Sequence, residues 1–158
     1  MILEQGNMWD VFGKTTLFLI TTNPIVKADG SIVMGRGIAK QMKDKYPAFP
    51  YRFADRYRMA VDEQKFVDVL APTSIGLVGV YGGQMCGWFM VKTHWQLPAD
   101  LSVIDRSVHE LSKLAKASKD YRIDLNFPGI GNGKLKREDV LPIIEQLPDN
   151  VHVWEFKE

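Results

Sequence analysis

The sequence has 158 residues, which fits a single domain over 1–158, and its 46% hydrophobic content is ample for a core that buries about two thirds of the unfolded surface. Its 20 basic and 19 acidic residues leave a formal net charge of +1, which excludes a global field that recruits nucleic acid or an anionic membrane. Any contact with nucleic acid must therefore be local. One cysteine, Cys86, excludes an internal disulfide framework, and we expect a monomeric cytoplasmic protein without a membrane partner.

The first part of the chain has strand patterns. Met1 to Glu4 is apolar enough for an opening strand. The run Leu17 to Thr22 is apolar or β-branched throughout, which is typical of a strand buried on both faces of a mostly parallel sheet, and Asn23-Pro24 ends it. This run is too short for a secretory signal or a membrane span. The next segment, Ile25 to Val33, contains the turn pair Asp29-Gly30 and predicts either a hairpin or a surface loop.

A glycine-bearing turn, Met34-Gly35-Arg36-Gly37, precedes the first predicted helix. The apolar face of this helix consists of Ile38, Ala39, Met42 and Tyr46. Its lysines lie on the other face, and we interpret them as a solvated surface rather than a nucleic-acid patch because Asp44 interrupts them. Pro47 ends the helix, and Tyr51 to Met59 predicts a second helix with a packed face.

Short strands are predicted in the middle of the chain, over Phe66 to Leu70, Ile75 to Tyr81 and Gly87 to Thr93. Gly82-Gly83 is the turn between the last two, which can pair in antiparallel fashion. The apolar neighbours of Cys86 favour an inert, packed thiol. Asp100 is a good N-cap for a long amphipathic helix that covers the sheet.

The segment Phe127 to Lys134 carries three glycines at every second position. It follows a predicted strand, Arg122 to Asn126, and leads into a predicted helix, Leu135 to Leu147. Such glycines let backbone N–H groups approach a phosphate, and a helix start adds partial positive charge, but a plain tight turn explains the glycines equally well. The spacing excludes a P-loop and the dinucleotide fingerprint. A last strand is predicted over Val151 to Phe156.

Strands that alternate with helices predict a three-layer α/β/α domain with a mixed central sheet. In such a domain, ligands bind at the carboxyl ends of the central strands. We therefore expect Asn23, Met34 to Gly37 and Gly129 to Lys134 to converge on one crevice, where the two glycine turns can grip a diphosphate.

Several of these segments together resemble a macrodomain, the ADP-ribose-binding α/β/α fold. The resemblance runs from Gly6-Asn7-Met8 through Thr21-Thr22-Asn23 and the Met-Gly-Arg-Gly-Ile-Ala segment at Met34 to Ala39. It continues through Lys92-Thr93-His94-Trp95 to Gly129 to Gly133. Among macrodomains, the chain is most similar to the branch that holds the DarG-type antitoxins, which remove ADP-ribose from DNA bases, and the terminal ADP-ribose glycohydrolase, which acts on acidic protein side chains.

The resemblance implies a site without metal or cofactor. It gives catalytic roles to Lys92 and to Asn23, which would face the distal ribose, and it places Asn7 and Met8 at the adenine end. The implied ligand-binding residues are Asn7, Met8, Met34, Gly35, Arg36, Gly37, Ile38, Gly129, Ile130, Gly131, Asn132, Gly133 and Lys134. An amine near the anomeric carbon can attack an opened ribose or stabilise the departing group if burial lowers its pKa.

Individual residues leave alternatives open. Without the resemblance, Lys92 reads more simply as a strand-end lysine that reaches solvent. His94 and Trp95 read more simply as packed residues than as an acid or base and a stacking platform. Where the family usually has aspartate, this chain has Asn7, which accepts a hydrogen bond but carries no charge. The family's aspartate after the last glycine is also missing, and Asp139 is the nearest candidate.

We expect an ADP-ribose-binding protein that hydrolyses an ADP-ribosyl linkage on DNA bases or protein through Lys92. One alternative is a phosphatase that acts on ADP-ribose 1″-phosphate. Another is a non-catalytic reader or scavenger of ADP-ribose, which needs the glycine turns but not Lys92. The setting expected from the sequence is a phage or bacterial accessory protein.

Overall fold

The computed structural model describes residues 1–67, 74–94 and 96–157, and within 63–67 it describes the backbone alone. The described residues form six strands, which are β1 (Ile2–Gln5), β2 (Leu17–Thr22), β3 (Ile75–Tyr81), β4 (Gln84–Met90), β5 (Ile123–Asn126) and β6 (Val151–Glu155). The four α-helices are α1 (Gly37–Lys45), α2 (Phe49–Val67), α3 (Leu101–Ala117) and α4 (Arg137–Ile144). Short 3-10 helices occur at Met8–Val11 and Gly131–Gly133.

The strands form one mixed sheet in the order β1-β6-β5-β2-β4-β3. Only the hairpin of β3 with β4 is antiparallel among the described pairs, and the other neighbours are parallel. Parallel strands end at the same edge, so the carboxyl ends of β2, β5 and β6 lie side by side. The predicted mixed sheet is confirmed.

Helices cover both faces of the sheet, as the continuous apolar run of β2 predicts. Leu17 and Leu19 point to one face and pack in a cluster with residues of α3 and α4. Phe18 and Ile20 point to the other face and pack with residues of α1 and α2. The fold is therefore the expected α/β/α arrangement of three layers.

Three local predictions agree with the structure. Asp100 caps α3 by accepting a hydrogen bond from Ser102 N at 2.8 Å, as predicted. The segment 25–33 is a small hairpin, with Val26 bridged to Ile32 in antiparallel fashion. Cys86 is buried, and burial raises the pKa of its thiol to about 12, which agrees with a packed, inert thiol.

Several predicted boundaries were wrong. The strand predicted from Phe66 begins inside α2, which continues to Val67, and the remainder of that prediction lies outside the described residues. Strand β4 begins at Gln84 rather than Gly87, because the buried Gln84 side chain is satisfied by backbone groups of the loop before β2. Helix α4 begins at Arg137 instead of Leu135 and ends at Ile144 instead of Leu147.

None of the helices in the described part of the chain combines the length and apolar character that crossing a membrane requires.

Candidate functional site

A cavity of about 900 Å³ lies at the carboxyl ends of β2, β5 and β6. Arg36 and Asn132, which come from the two glycine turns, both line it. Every site residue predicted from the sequence contributes to its wall, namely Asn7, Met8, Asn23, Met34, Gly35, Arg36, Gly37, Ile38, Lys92, Gly129, Ile130, Gly131, Asn132, Gly133 and Lys134. The structure therefore brings the predicted residues together, while their individual roles stay predictions.

The first glycine turn connects the hairpin 25–33 to α1. Gly37 has φ +59°, a left-handed conformation that suits glycine, and it is the first residue of the helix. Arg36 before it is exposed and provides no side-chain cap, so its guanidinium is not used to hold the helix start. The amino end of α1 and the positively charged Arg36 both lie in the cavity wall.

The second turn contains Gly129 to Lys134. Gly129 and Gly131 have positive φ values of +80° and +66°, and Leu135 N donates to Gly129 O at 2.9 Å. Gly133 O accepts from Ala99 N at 2.9 Å, which fastens the turn to the loop before α3. Helix α4 starts only at Arg137, so the predicted helix start does not lie at this turn. The turn itself forms the 3-10 helix Gly131–Gly133, whose residues line the cavity.

Lys134 has an unusual backbone for its type. Its φ of 64° makes it the one non-glycine residue with positive φ in the described chain. Such a conformation costs about 1–2 kcal/mol in a residue with a Cβ. The hydrogen bond from Lys134 N to Gly131 O at 3.0 Å helps to hold it. The strained residue places a positive charge at the cavity.

Lys92 follows β4 and is partly buried in the cavity wall. Its Nζ donates a hydrogen bond to Leu97 O at 3.3 Å. Burial lowers the pKa of the Lys92 amine, and the positive charges of Arg36 and Lys134 lower it further. Three cationic side chains therefore share this part of the cavity. The protonation equilibrium of one of them, Lys92, is shifted towards the neutral amine.

The other end of the cavity is aromatic. Trp9, Trp154 and Phe156 line it, and the side chain of Phe156 is 69% exposed. Asn7 caps the 3-10 helix beside them, with its Oδ1 accepting from Trp9 N at 3.0 Å. Met8 behind it is buried. Sequence reasoning missed the aromatic residues, although Trp154 and Phe156 stand at the carboxyl end of a strand, where ligand contacts are expected.

A buried carboxylate supports Trp154. Asp124 is fully buried, and its Oδ1 accepts a hydrogen bond from Trp154 Nε1 at 2.7 Å. Arg122 donates two bonds of 3.1 Å to the same carboxylate, and the Thr15 hydroxyl donates a fourth. The negative charge of Asp124 is therefore compensated by Arg122, and the indole of Trp154 is held in one orientation.

Asn126 joins the carboxyl ends of β5 and β2. Its Oδ1 accepts from Thr21 N at 3.0 Å, and its Nδ2 donates to Thr21 Oγ1 at 2.8 Å. The last backbone pair of β2 with β5 is Leu19 with Leu125. The Asn126 side chain continues the contact between these two strands past that pair, at the cavity floor. Its position at the carboxyl end of a buried strand was a signal that the sequence reasoning did not use.

The remaining candidates lie away from this arrangement or outside the description. His94 Nδ1 accepts a hydrogen bond from Gln96 N at 3.2 Å, which shapes the loop after Lys92. Trp95 lies outside the described residues. Asp139 is exposed in the first turn of α4. Within the described part of the chain, no group of three or more His, Cys, Asp or Glu side chains could hold a metal ion.

Comparison with known proteins identifies the fold. No family model matches the sequence. Over 151 residues the chain is 28% identical to a protein of Mycobacterium tuberculosis named DNA ADP-ribosyl glycohydrolase, and the match covers 87% of this chain but 39% of that protein. The chain thus spans well under half the length of the curated relatives that it matches.

Solved structures agree over nearly the whole chain. The macrodomain of Mycobacterium tuberculosis DarG superposes with a TM-score of 0.65 at 24% identity and 99% coverage of both chains. Thermosipho africanus DarTG, solved in complex with ADP-ribose, superposes with a TM-score of 0.71 at 18% identity, over 98% of this chain and 41% of that one. The fold of this chain is therefore that of a macrodomain.

Proposed function

We propose that this protein binds ADP-ribose and hydrolyses an ADP-ribosyl linkage, with Lys92 as the reactive amine. The observation that carries the proposal is the shared cavity, in which two glycine turns, a partly buried lysine and an aromatic end meet. Its volume of about 900 Å³ fits the range of cavities that hold a ligand of nucleotide size.

The polar half of the cavity suits a diphosphate. Backbone N–H groups of the two glycine turns can donate to phosphate oxygens, and the first turn adds the N-terminus of α1. Arg36 and Lys134 supply compensating positive charge, and the acidic Glu155 in the wall is already paired with Arg137 at 2.7 Å. The cavity's charge therefore favours a doubly negative group.

The aromatic half suits a nucleobase. Phe156 presents an exposed ring, and aromatic rings attract the flat face of a base by stacking. Asn7 stands beside this end with a side-chain amide that can bond an adenine edge, although its Oδ1 already accepts from Trp9 N. The base and the reactive amine would thus lie at opposite ends of the ligand.

Lys92 provides the chemistry. Its lowered pKa increases the fraction of neutral amine at a given pH, so Nζ can add to the anomeric carbon of an opened distal ribose. The bond from the anomeric carbon to the leaving base or side chain then breaks, and the leaving group takes up the proton that Nζ releases. Water hydrolyses the resulting imine, which returns the amine and releases ADP-ribose. Alternatively, the protonated amine stabilises charge on the departing group.

The relatives support the substrate class. A protein that shares 28% identity is named a DNA ADP-ribosyl glycohydrolase, and a structural neighbour was solved with ADP-ribose. We therefore propose an ADP-ribosylated nucleobase as the preferred substrate, ahead of an ADP-ribosylated protein.

A non-catalytic ADP-ribose reader is the second candidate. The hydrogen bond from Lys92 Nζ to Leu97 O favours it, because this bond uses one of the amine's donors within the protein. Binding by a reader would depend on the glycine turns and not on Lys92.

The test has two stages. Calorimetric titration with ADP-ribose comes first, and failure to bind contradicts the whole proposal. The protein is then incubated in parallel with ADP-ribosylated DNA, ADP-ribosylated protein and ADP-ribose 1″-phosphate. Lys92→Ala should abolish turnover and still bind ADP-ribose. The control variant Lys119→Ala, at an exposed position before β5, should change neither turnover nor ADP-ribose binding. A Lys92→Ala variant with full turnover would mean that another group is catalytic, whereas ADP-ribose binding without turnover of any substrate by the unmodified protein would favour the reader.

A further inference from the structure

Asn23 is bonded within the protein through both ends of its side-chain amide. The residue is 7% exposed, its Nδ2 donates to Val33 O at 3.0 Å, and its Oδ1 accepts from Ile25 N at 2.9 Å. These two partners are the first and last residues of the hairpin 25–33. One side chain therefore connects both ends of this hairpin to the carboxyl end of β2.

The hairpin has further internal bonds that make it a compact unit. Val33 N donates to Ile25 O at 3.0 Å, and Lys27 N donates to Ser31 O at 2.7 Å. At its tip, Asp29 Oδ1 accepts from the backbone N of Ser31 at 3.0 Å and from its hydroxyl. Asp29 does not belong to the cavity wall. The tip can therefore be altered without contact with a ligand.

The first glycine turn begins where this hairpin ends. Val33 is followed directly by Met34 to Gly37, and all of these residues line the cavity. The position of Val33 therefore fixes where the turn and the amino end of α1 lie relative to the second glycine turn. If Val33 moves, the amides of the first turn move with it.

We infer that Asn23 is a positioning residue that preforms the first glycine turn through the hairpin 25–33, and is not a catalytic residue that touches the distal ribose. This inference rests on the proposed function for its ligand. The physical reason is that buried polar groups must stay paired: without the amide, Ile25 N and Val33 O both lose a partner, and the hairpin opens to find water. A ligand would then have to order the turn on binding, which weakens affinity and leaves the chemical step intact.

The experiment compares three alanine variants and the Asn23→Ala/Asp29→Ala double variant. Asn23→Ala removes the connection itself, and Asp29→Ala loosens the same hairpin at its tip, outside the cavity. The matched control is Asn150→Ala, because Asn150 Nδ2 also bridges loop carbonyls, Ala115 O at 3.1 Å and Ser118 O at 3.2 Å, but far from the cavity. Each variant is assayed by amide hydrogen exchange, by calorimetry with ADP-ribose, and by kcat on the substrate that the unmodified protein turns over.

For Asn23→Ala we expect amide exchange at Ile25 and Val33 to accelerate about tenfold or more, and the Kd for ADP-ribose to rise about tenfold. The value of kcat at saturation should stay within about threefold of the unmodified protein. Asp29→Ala should shift exchange and Kd in the same direction by about threefold, and the double variant should be less than additive because both act on one hairpin. Asn150→Ala should leave the exchange of Ile25 and the Kd unchanged.

Two outcomes overturn the inference. One is a large fall in kcat for Asn23→Ala with unchanged Kd and unchanged exchange, which would mean that the side chain touches the substrate. The other is additive behaviour of Asn23→Ala and Asp29→Ala in Kd, which would separate Asn23 from the hairpin. If the unmodified protein does not bind ADP-ribose, the proposed function fails, whereas the exchange data still decide whether Asn23 holds the hairpin.

Discussion

Gly37 faces the side-chain amide of Asn132 so closely that a Cβ added to Gly37 would lie 3.4 Å from Asn132 Nδ2. The two residues belong to the two glycine turns, which are far apart in the sequence and joined only through the tertiary structure. Their proximity means that the turns form one continuous wall rather than two separate sites. A side chain added to one turn therefore contacts the other turn.

Replacement of Gly37 by alanine should weaken both stability and ADP-ribose binding. The φ of +59° strains any residue with a Cβ, and the new methyl group would contact the side chain of Asn132 in the other turn. We expect a loss of about 1–2 kcal/mol in the free energy of unfolding, measured by urea denaturation, and a rise in Kd measured by calorimetry.

Gly83→Ala is the matched control for this change. Gly83 has φ +76°, and its added Cβ would meet no atom within 4 Å, because it lies in the turn between β3 and β4. The Gly83→Ala variant should lower stability by a similar amount and leave the Kd for ADP-ribose unchanged. An equal rise in Kd for both variants would mean that the loss at Gly37 reflects general destabilisation.

Substitutions at Lys134 should separate backbone strain from charge. Lys134→Gly relieves the φ of 64° and should stabilise the fold by about 0.5–1 kcal/mol, but it removes a cation from the cavity and should weaken ADP-ribose binding. Lys134→Ala removes the same charge and keeps the strain, so it should weaken binding without the gain in stability. Thermal unfolding and calorimetry measure the two effects, and equal stability of both variants would contradict a strained turn.

The pH dependence of turnover should follow the Lys92 amine if it reacts in its neutral form. Its pKa is lowered, so kcat should rise with pH through a value below that of an ordinary lysine. Arg36→Gln removes one of the charges that lower this pKa, and the rising limb should therefore move to higher pH. Measurement at saturating substrate separates this shift from the loss of phosphate binding.

Lys40→Gln is the control for charge at a distance, because Lys40 is exposed and paired with Asp44 at 2.7 Å. It should leave the pH profile in place. A profile that falls with rising pH would indicate instead that the protonated amine acts on the leaving group.

The carboxylate of Asp124 should be essential for stability. Asp124→Ala leaves the half-buried indole N–H of Trp154 and the half-exposed guanidinium of Arg122 without their buried partner, which should cost about 1–3 kcal/mol in the free energy of unfolding. Urea denaturation measures this loss. Asp149→Ala, whose side chain is 95% exposed, should leave stability unchanged, and an equally small effect at Asp124 would contradict the role of the network.

Individual residues show why sequence reasoning succeeded in some places and failed in others. Leu17 to Thr22 was predicted with both bounds correct, because a run buried on both faces carries the signal in every residue. Gln84 was not placed in β4, because a polar residue joins a buried strand only when distant backbone groups satisfy it, and here these are Gly13 N and Thr15 O. No local pattern records such partners.

The glycine turns were visible in the sequence because positive φ is a local requirement that glycine meets without strain. The sequence by itself therefore determined which segments are buried and where the backbone turns sharply. Only the tertiary structure decided that Trp154 and Phe156 share a cavity with Asn7, since the parallel pairing of β1 with β6 brings the two ends of the chain together. It also decided the partners of Asn23, because the geometry of a hydrogen bond depends on how the hairpin folds back and not on the identity of the residue that makes it.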